Sequence, residues 1–167
     1  MRSRSLLALA LLGLVSCGDG RITKFVIPDT RPLRDIQATL GATPSTGDAG
    51  HPVRIVAVIR NTGRESVGIG ISCPIPNIRI YDMQGVELHG LDPTQPVPCP
   101  LGLIAPTPPG HSERFWRDFD GNYYSSDGQQ HQATAGTYRV VATFNYGFVN
   151  ESGPGHTLVK ETTFTWQ

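Results

Sequence analysis

The chain has 167 residues, with 14 lysines and arginines and 14 aspartates and glutamates, so its formal net charge is zero. Nucleic-acid binding calls for a clustered basic face, and this charge pattern does not predict one. Glycine and proline account for 33 residues, which argues against long helices and favours turn-rich β structure.

The N-terminus has the pattern of an export signal. Two arginines lie within Met1–Arg4, and the apolar run from Leu6 to Val15 follows. A helix of about ten residues is too short to cross roughly 30 Å of hydrocarbon. A basic start before a short apolar run is typical of a secretory signal peptide. Its removal would leave twelve basic and fourteen acidic residues, a net charge near −2.

The sequence Leu14-Val15-Ser16-Cys17 resembles the bacterial lipobox. That resemblance implies that residues 1–16 are a signal peptide and that Cys17 is acylated and becomes the first mature residue. Two or more acyl chains hold a protein stably on a membrane. We therefore expect a lipoprotein of the bacterial cell envelope, facing the periplasm or the exterior. The alternative is an ordinary signal peptide with a chance cysteine.

The predicted domains follow from this reading. Residues 17–33 would form the lipidated N-terminus and a linker, and residues 34–167 one folded domain. Two cysteines remain in that domain, Cys73 and Cys99. An even number in an exported chain predicts a disulfide, and the alternative is two buried free thiols. Neither cysteine has a nearby cysteine or histidine partner, so the spacing does not predict a metal site.

Alternating apolar residues predict a series of strands, beginning with a short candidate at 22–27. The strongest early strand is residues 52–61, in which Val53, Ile55, Ala57 and Ile59 share one face. Weaker candidates are residues 35–40, 67–72, 77–82 and 85–90. Seven prolines between Leu91 and Gly110 predict an ordered surface loop or an edge segment.

The second half of the chain continues the pattern. After Gly110, Phe115 and Phe119 share a parity that predicts burial, whereas Trp116 has the opposite parity and should be partly exposed. Residues 125–134 look like a polar loop. The clearest strand is 135–147, and a last one covers 156–167. We find no internal repeat and no amphipathic helix pattern.

Seven or eight short strands separated by turns predict an all-β, immunoglobulin-like antiparallel β-sandwich. The segment Ala135-Gly136-Thr137-Tyr138 looks like a tyrosine corner, in which the tyrosine hydroxyl bonds to backbone upstream. Tyr138 is therefore a predicted structural residue, with its acceptor near Thr134 or in the preceding loop.

A family resemblance rests on spacing and turns between residues 52 and 147. A strand ends at Asn61, and the later elements are the sequences IYDMQG, the Pro109-Gly110 turn, Phe119-Asp120-Gly121 and AGTYRVVATF. This order resembles the BsuPI-type intracellular proteinase inhibitor domain, a small immunoglobulin-like fold. The resemblance implies a possible inhibitory activity, but it places no inhibitory loop on this sequence. The export signal, the cysteine pair and the proline-rich insertion depart from the family.

Residues that suggest chemistry each have an ordinary structural explanation. Acidic residues at 118, 120 and 127 with Asn122 resemble a calcium loop, but the glycine and the distant glutamate are misplaced. The histidines at 51, 89, 111, 131 and 156 form no metal-binding pair, although His111 and Glu113 could share a metal. Ser112 lacks a nucleophile elbow.

An aromatic platform for a sugar or a peptide is a further candidate. It would combine Trp116, Phe119, Tyr123 and Tyr124, which could equally be core and hairpin residues.

The sequence thus predicts a non-enzymatic protein without cofactor or metal. Its expected partners are the membrane, through a lipid anchor, and an unknown protein or glycan ligand. The alternative function is proteinase inhibition of the BsuPI type.

Overall fold

A computed structural model describes residues 35–70, 77–96, 104–148 and 155–167. These residues form an all-β, immunoglobulin-like antiparallel sandwich, as the sequence predicts. Cys17, Cys73 and Cys99 lie outside the described residues, so acylation and the disulfide remain predictions. The predicted strand at 22–27 also lies outside them. Within the described part, no helix has the length and apolar character needed to cross a membrane.

The smaller sheet has three strands in the spatial order β1-β3-β8. They are β1 (Ile36–Thr43), β3 (Val53–Asn61) and β8 (Ser112–Phe119). Both pairings are antiparallel, and β3 lies in the middle. The sequence patterns of all three strands alternate, because one side of each strand packs on the core and the other faces water.

The larger sheet is built around one long strand. Its members are β2 (Thr46–Gly47), β4 (Val67–Gly70), β5 (Ile78–Tyr81), β6 (Glu87–Leu88), β7 (Ile104–Thr107), β11 (Gly136–Phe148) and β12 (His156–Trp166). Along one edge, β11 pairs with the whole of β12. Along its other edge it pairs first with β5 and then with β4. A separate hairpin joins β9 (Asn122–Tyr124) to β10 (Gln130–Gln132).

The core lies between the two sheets and is filled by alternate residues of β3 and β11. An aromatic cluster closes one end of it: the Phe119 ring lies 5.1 Å from Trp166, 5.2 Å from Phe164 and 5.7 Å from Tyr138. All four rings are buried. Large aromatic side chains supply much of the apolar area that stabilises a fold of this size.

Tyr138 has the contacts of a tyrosine corner. Its hydroxyl donates a hydrogen bond to the Thr134 carbonyl oxygen at 2.6 Å, and only 4% of the residue is exposed. Its ring stacks on Phe164, with centroids 5.5 Å apart. The residue therefore fixes the entry to β11 and also packs in the core.

Asn61, the last residue of β3, also joins neighbouring segments through side-chain hydrogen bonds. Its side-chain amide donates to the carbonyl oxygens of Glu65 and Thr107, at 2.7 and 3.0 Å, and its side-chain oxygen accepts from the Gly63 N–H. The residue is 1% exposed, so these bonds satisfy its buried polar atoms. Asn61 thereby links the turn after β3 to strand β7.

The turn between β8 and β9 requires a glycine. Gly121 has a φ of 88°, in the region that favours glycine, and a Cβ built there would overlap the buried Trp166 ring. Its carbonyl accepts a hydrogen bond from the Ala133 N–H at 2.7 Å. The turn thus holds β8, the β9–β10 hairpin and the end of β12 together.

The described residues contain twelve strand segments, more than the seven or eight expected, because several are only two to four residues long. Strands β2 and β10 were not predicted from the sequence. Strand β2 pairs in parallel with the end of β12, and β10 consists of three exposed polar residues, so neither shows apolar alternation. The proline-rich region contributes β7, which lies at the edge of its sheet beside β4.

Candidate functional site

The solvent side of the three-stranded sheet carries an exposed tryptophan. Trp116 is 58% exposed, whereas its neighbour along the chain, Arg117, points to the opposite side of the sheet. We call this side the Trp116 face. Its central residues are Thr39, Gly41, Val56, Val58, Arg114 and Trp116.

The register of the strands sets two neighbouring rows across this face. In one row Gly41 is opposite Val56, which is opposite Trp116. Both valines of the face are half-buried, and a Cβ built on Gly41 would have no atom within 4 Å. The row is therefore a flat apolar strip that is open above β1. In the next row, Val58 separates Thr39 from Arg114.

An ion pair closes one end of the face. The Arg54 guanidinium donates two hydrogen bonds to the Asp118 carboxylate, at 2.7 and 2.8 Å. These bonds hold the pKa of Asp118 below its ordinary value and raise the pKa of Arg54. Paired in this bidentate way, the two charges offset each other.

Two arginines at the other end have no such partner. Arg60 and Arg114 form no ion pair with any of the described residues. Arg60 is opposite Ser112 in the register, so Arg114 lies diagonally across from it on the same face. With Arg54 and Asp118 offsetting each other, the face has a net charge of about +2 in a chain whose net charge is zero.

The structure does not assemble the aromatic platform that the sequence suggested. Phe119 is 2% exposed and lies in the core, on the opposite side of the sheet from Trp116. Tyr123 stacks on His131, with centroids 5.5 Å apart, and packs partly against the core. Tyr124 pairs through its backbone with His89. Only Trp116 remains as an exposed aromatic surface of that group.

The acidic residues of the suggested calcium loop stabilise turns instead. Asp118 is paired with Arg54, and Asp120 accepts the Asn122 N–H at 2.9 Å. Asp127 accepts the Ser125 hydroxyl, which lowers the pKa of its carboxyl. In the part of the chain that the structure describes, no three residues of metal-binding type are grouped together.

One histidine lies near a serine and an aspartate, but the order of contacts differs from that of a catalytic triad. The Ser125 hydroxyl contacts both the His131 ring nitrogen, at 3.0 Å, and the Asp127 carboxylate, at 2.5 Å. In a triad the carboxylate orients the histidine, which in turn contacts the serine. Here the serine lies between the histidine and the aspartate. Its hydroxyl also contacts the Gln129 carbonyl oxygen in the same hairpin turn.

The other nucleophile and metal candidates are dispersed. The His111 N–H donates to the Pro108 carbonyl in the turn before β8, and Ser112 is exposed at the start of that strand. Glu113 accepts a hydrogen bond from the Thr107 hydroxyl at 3.3 Å. His89 lies 3.7 Å from Glu87.

Arg117 was not predicted from the sequence as a structural residue, and it points inward from β8 with the parity of Phe115 and Phe119. Its guanidinium donates to the carbonyl oxygens of Ile78 and Leu88, at 3.0 and 2.9 Å. Burial lowers the pKa of Arg117. The side chain therefore joins β8 to β5 and β6. A charged residue at an inward position of an alternating strand is the signal that could have revealed it.

No protein-family model and no curated protein matches this sequence. Solved structures give distant likenesses. A β-glucosidase from Erythrobacter marinus aligns at 16% identity with a TM-score of 0.41, over 79% of this chain and 15% of that one. The putative ApaA protein from Bordetella pertussis aligns at 16% identity and a TM-score of 0.39, over 78% of this chain and 91% of that one.

The C-terminal domain of wzt aligns at 10% identity with a TM-score of 0.41, over 80% of this chain and 74% of that one. The chain spans only about a sixth of the length of the β-glucosidase. Likenesses this distant say nothing about activity.

Proposed function

We propose that this protein is a non-catalytic binding module that a lipid anchor displays from the bacterial cell envelope, and that its ligand docks on the Trp116 face. The observation that carries the proposal is the exposure of Trp116 midway along β8, at one side of that face. An exposed tryptophan beside arginines is the composition typical of the energetic centre of a binding surface.

The folded domain does not need the Trp116 side chain for its own core. The buried aromatic residues of the sandwich come from the inner sides of β8, β11 and β12, and Trp116 is on the outer side of β8. A large apolar group that faces water gains free energy only when a ligand covers it. A role in binding gives this side chain a physical purpose that packing does not.

The proposed anchor is Cys17. Residues 17–33 separate it from the predicted domain, and seventeen extended residues reach at most about 60 Å. Such a tether would keep the domain near the membrane while its faces stay accessible. We do not propose proteinase inhibition, because the family resemblance places no inhibitory loop on this sequence.

Site-specific photo-cross-linking in envelope preparations would test the binding face. A photoreactive amino acid at position 58 should yield a discrete adduct that disappears when Trp116→Ala is added. The matched control is position 159, since Val159 is 48% exposed on the other sheet. Adducts that form equally from both positions, or that survive Trp116→Ala, would contradict a binding role for this face.

The anchor is tested separately. Cys17→Ala should release the protein from the membrane fraction and abolish incorporation of labelled lipid. A variant that stays membrane-bound and still carries the label would show that another residue is the anchor.

A further inference from the structure

We propose that the ligand of the Trp116 face is an acidic oligosaccharide, a short chain of sugar rings that bear carboxylates. This inference rests on the proposed function, because it uses the same face. It is carried by the place of Trp116 in an open apolar strip, by two unpaired arginines beside it, and by the small area of the sheet.

The unpaired positive charges on the face indicate a negatively charged ligand. Arg60 and Arg114 are diagonal neighbours at one end of the face and have no acidic partner among the described residues. A guanidinium presents a planar fork of donors that matches a carboxylate, so two neighbouring arginines suit a ligand with repeated carboxylates. The Asp118 carboxylate is already neutralised by Arg54 and does not oppose this charge.

The apolar strip suits a ring. Trp116 is an exposed indole at one end of the row, and the row continues across Val56 to the open space above Gly41. The face of an aromatic ring carries partial negative charge and attracts the positive C–H groups on the flat side of a sugar. Arg114 lies two residues from Trp116 on the same face, about 7 Å along the strand. One sugar unit can therefore stack on the indole while the carboxylate of the next contacts the arginine.

The rim of the face suits hydroxyl groups. Thr39 and Thr43 flank Gly41 on β1, and Ser112 begins β8 on the other side. Each hydroxyl can both donate and accept a hydrogen bond, as sugar hydroxyls do.

The area of the sheet favours an oligosaccharide over a folded protein. Three strands about 4.8 Å apart and eight residues long cover about 14 Å by 26 Å, or roughly 370 Å². A stable protein–protein interface needs about 800 Å² on each partner. The face is large enough for a few sugar rings, whereas a folded protein would have to extend beyond the three strands onto neighbouring segments.

Titration of the purified full chain with three probes would test the inference. The probes are a tetramer of galacturonic acid, maltotetraose as a neutral chain of the same length, and a polyglutamate peptide of matched charge. The acidic tetramer should bind and change the tryptophan emission. Trp116 should dominate that signal, because the other tryptophan, Trp166, is only 4% exposed. The neutral tetramer should bind at least about tenfold more weakly.

Variants assign the binding to residues, and their affinities are measured by titration calorimetry because Trp116→Ala removes the fluorescent reporter. Trp116→Ala and the double variant Arg60→Gln with Arg114→Gln should each weaken binding by about tenfold or more, and added salt should weaken wild-type binding. The matched control is Arg64→Gln, which removes an exposed arginine from the turn after β3 and should leave affinity unchanged.

Equal affinity for both tetramers, or affinity unchanged in the two site variants, would overturn the inference. Tighter binding of polyglutamate that depends on Trp116 would overturn the sugar class while supporting the face itself. If no probe binds but position 58 still cross-links, the oligosaccharide is wrong and the proposed function stands. If cross-linking also fails, both are wrong.

Discussion

Two substitutions of Tyr138 separate its hydrogen bond from its packing. Tyr138→Phe removes only the hydroxyl that donates to Thr134 at 2.6 Å, and should lower the free energy of unfolding by about 1 kcal/mol. Tyr138→Ala also removes a buried ring that contacts Phe164 and Phe119, at centroid distances of 5.5 and 5.7 Å. By analogy with other buried rings, that change should cost about 3–5 kcal/mol.

Equilibrium urea unfolding of the domain would measure both effects. With a slope of about 1.5–2 kcal/mol per molar urea, the phenylalanine variant should unfold at a midpoint about 0.5–0.7 M lower than wild type. Tyr124→Phe is the matched control, because that hydroxyl has no hydrogen-bond partner within the described ranges. If both Tyr138 variants unfold at the wild-type midpoint with the same slope, the corner does not hold the sandwich together.

Gly121→Ala should destabilise the domain by about 2–5 kcal/mol, since alanine at positive φ costs about 1–2 kcal/mol and overlap with the buried indole adds about 1–3 kcal/mol. Gly110→Ala, at a φ of 80° in open space, should incur only the first cost, and equal midpoints would refute the steric argument. The pKa of Asp118 is held below 3.8 in the folded state, so its contribution to stability is present above pH 4 and is lost as the pH falls through the folded value. In Asp118→Asn the free energy of unfolding should therefore fall less steeply at acid pH, and an unchanged pH dependence would exclude that contribution. Mass mapping under non-reducing conditions should find a Cys73–Cys99 linked peptide, whereas two alkylatable thiols in the native protein would refute the disulfide.

Alternation made the long strands predictable from the sequence. From Val53 to Ile59 in β3 and from Tyr138 to Phe148 in β11 every second residue is apolar and buried, and the same parity argument put Phe119 inside and Trp116 outside. Two of the short strands were not predictable in this way. β2 and β10 are held by backbone pairing with other strands and have no apolar side of their own.

The candidate face was only partly predictable, because it depends on strand register. Arg60 and Arg114 are 54 residues apart in the sequence and become neighbours only because β3 and β8 pair in one particular register. A shift of one residue would move Arg114 to the core side. The inward Arg117 was missed for a related reason: its acceptors are backbone carbonyls on β5 and β6, which no side-chain pattern records.

The shape of the larger sheet has a consequence for how the protein opens. One edge of β11 is covered by β12 along eleven residues, whereas the other edge is divided between β5 and β4, with four residues each. Amide hydrogens between β11 and β12 should therefore exchange only through global unfolding. Those between β11 and β4 should exchange faster, through a local opening that releases β4 and β7 while the rest of the sandwich stays folded. Strand β11 is then the last strand of the larger sheet to lose its hydrogen-bonded partners. Its two short neighbours, β4 and β5, are separate cooperative units.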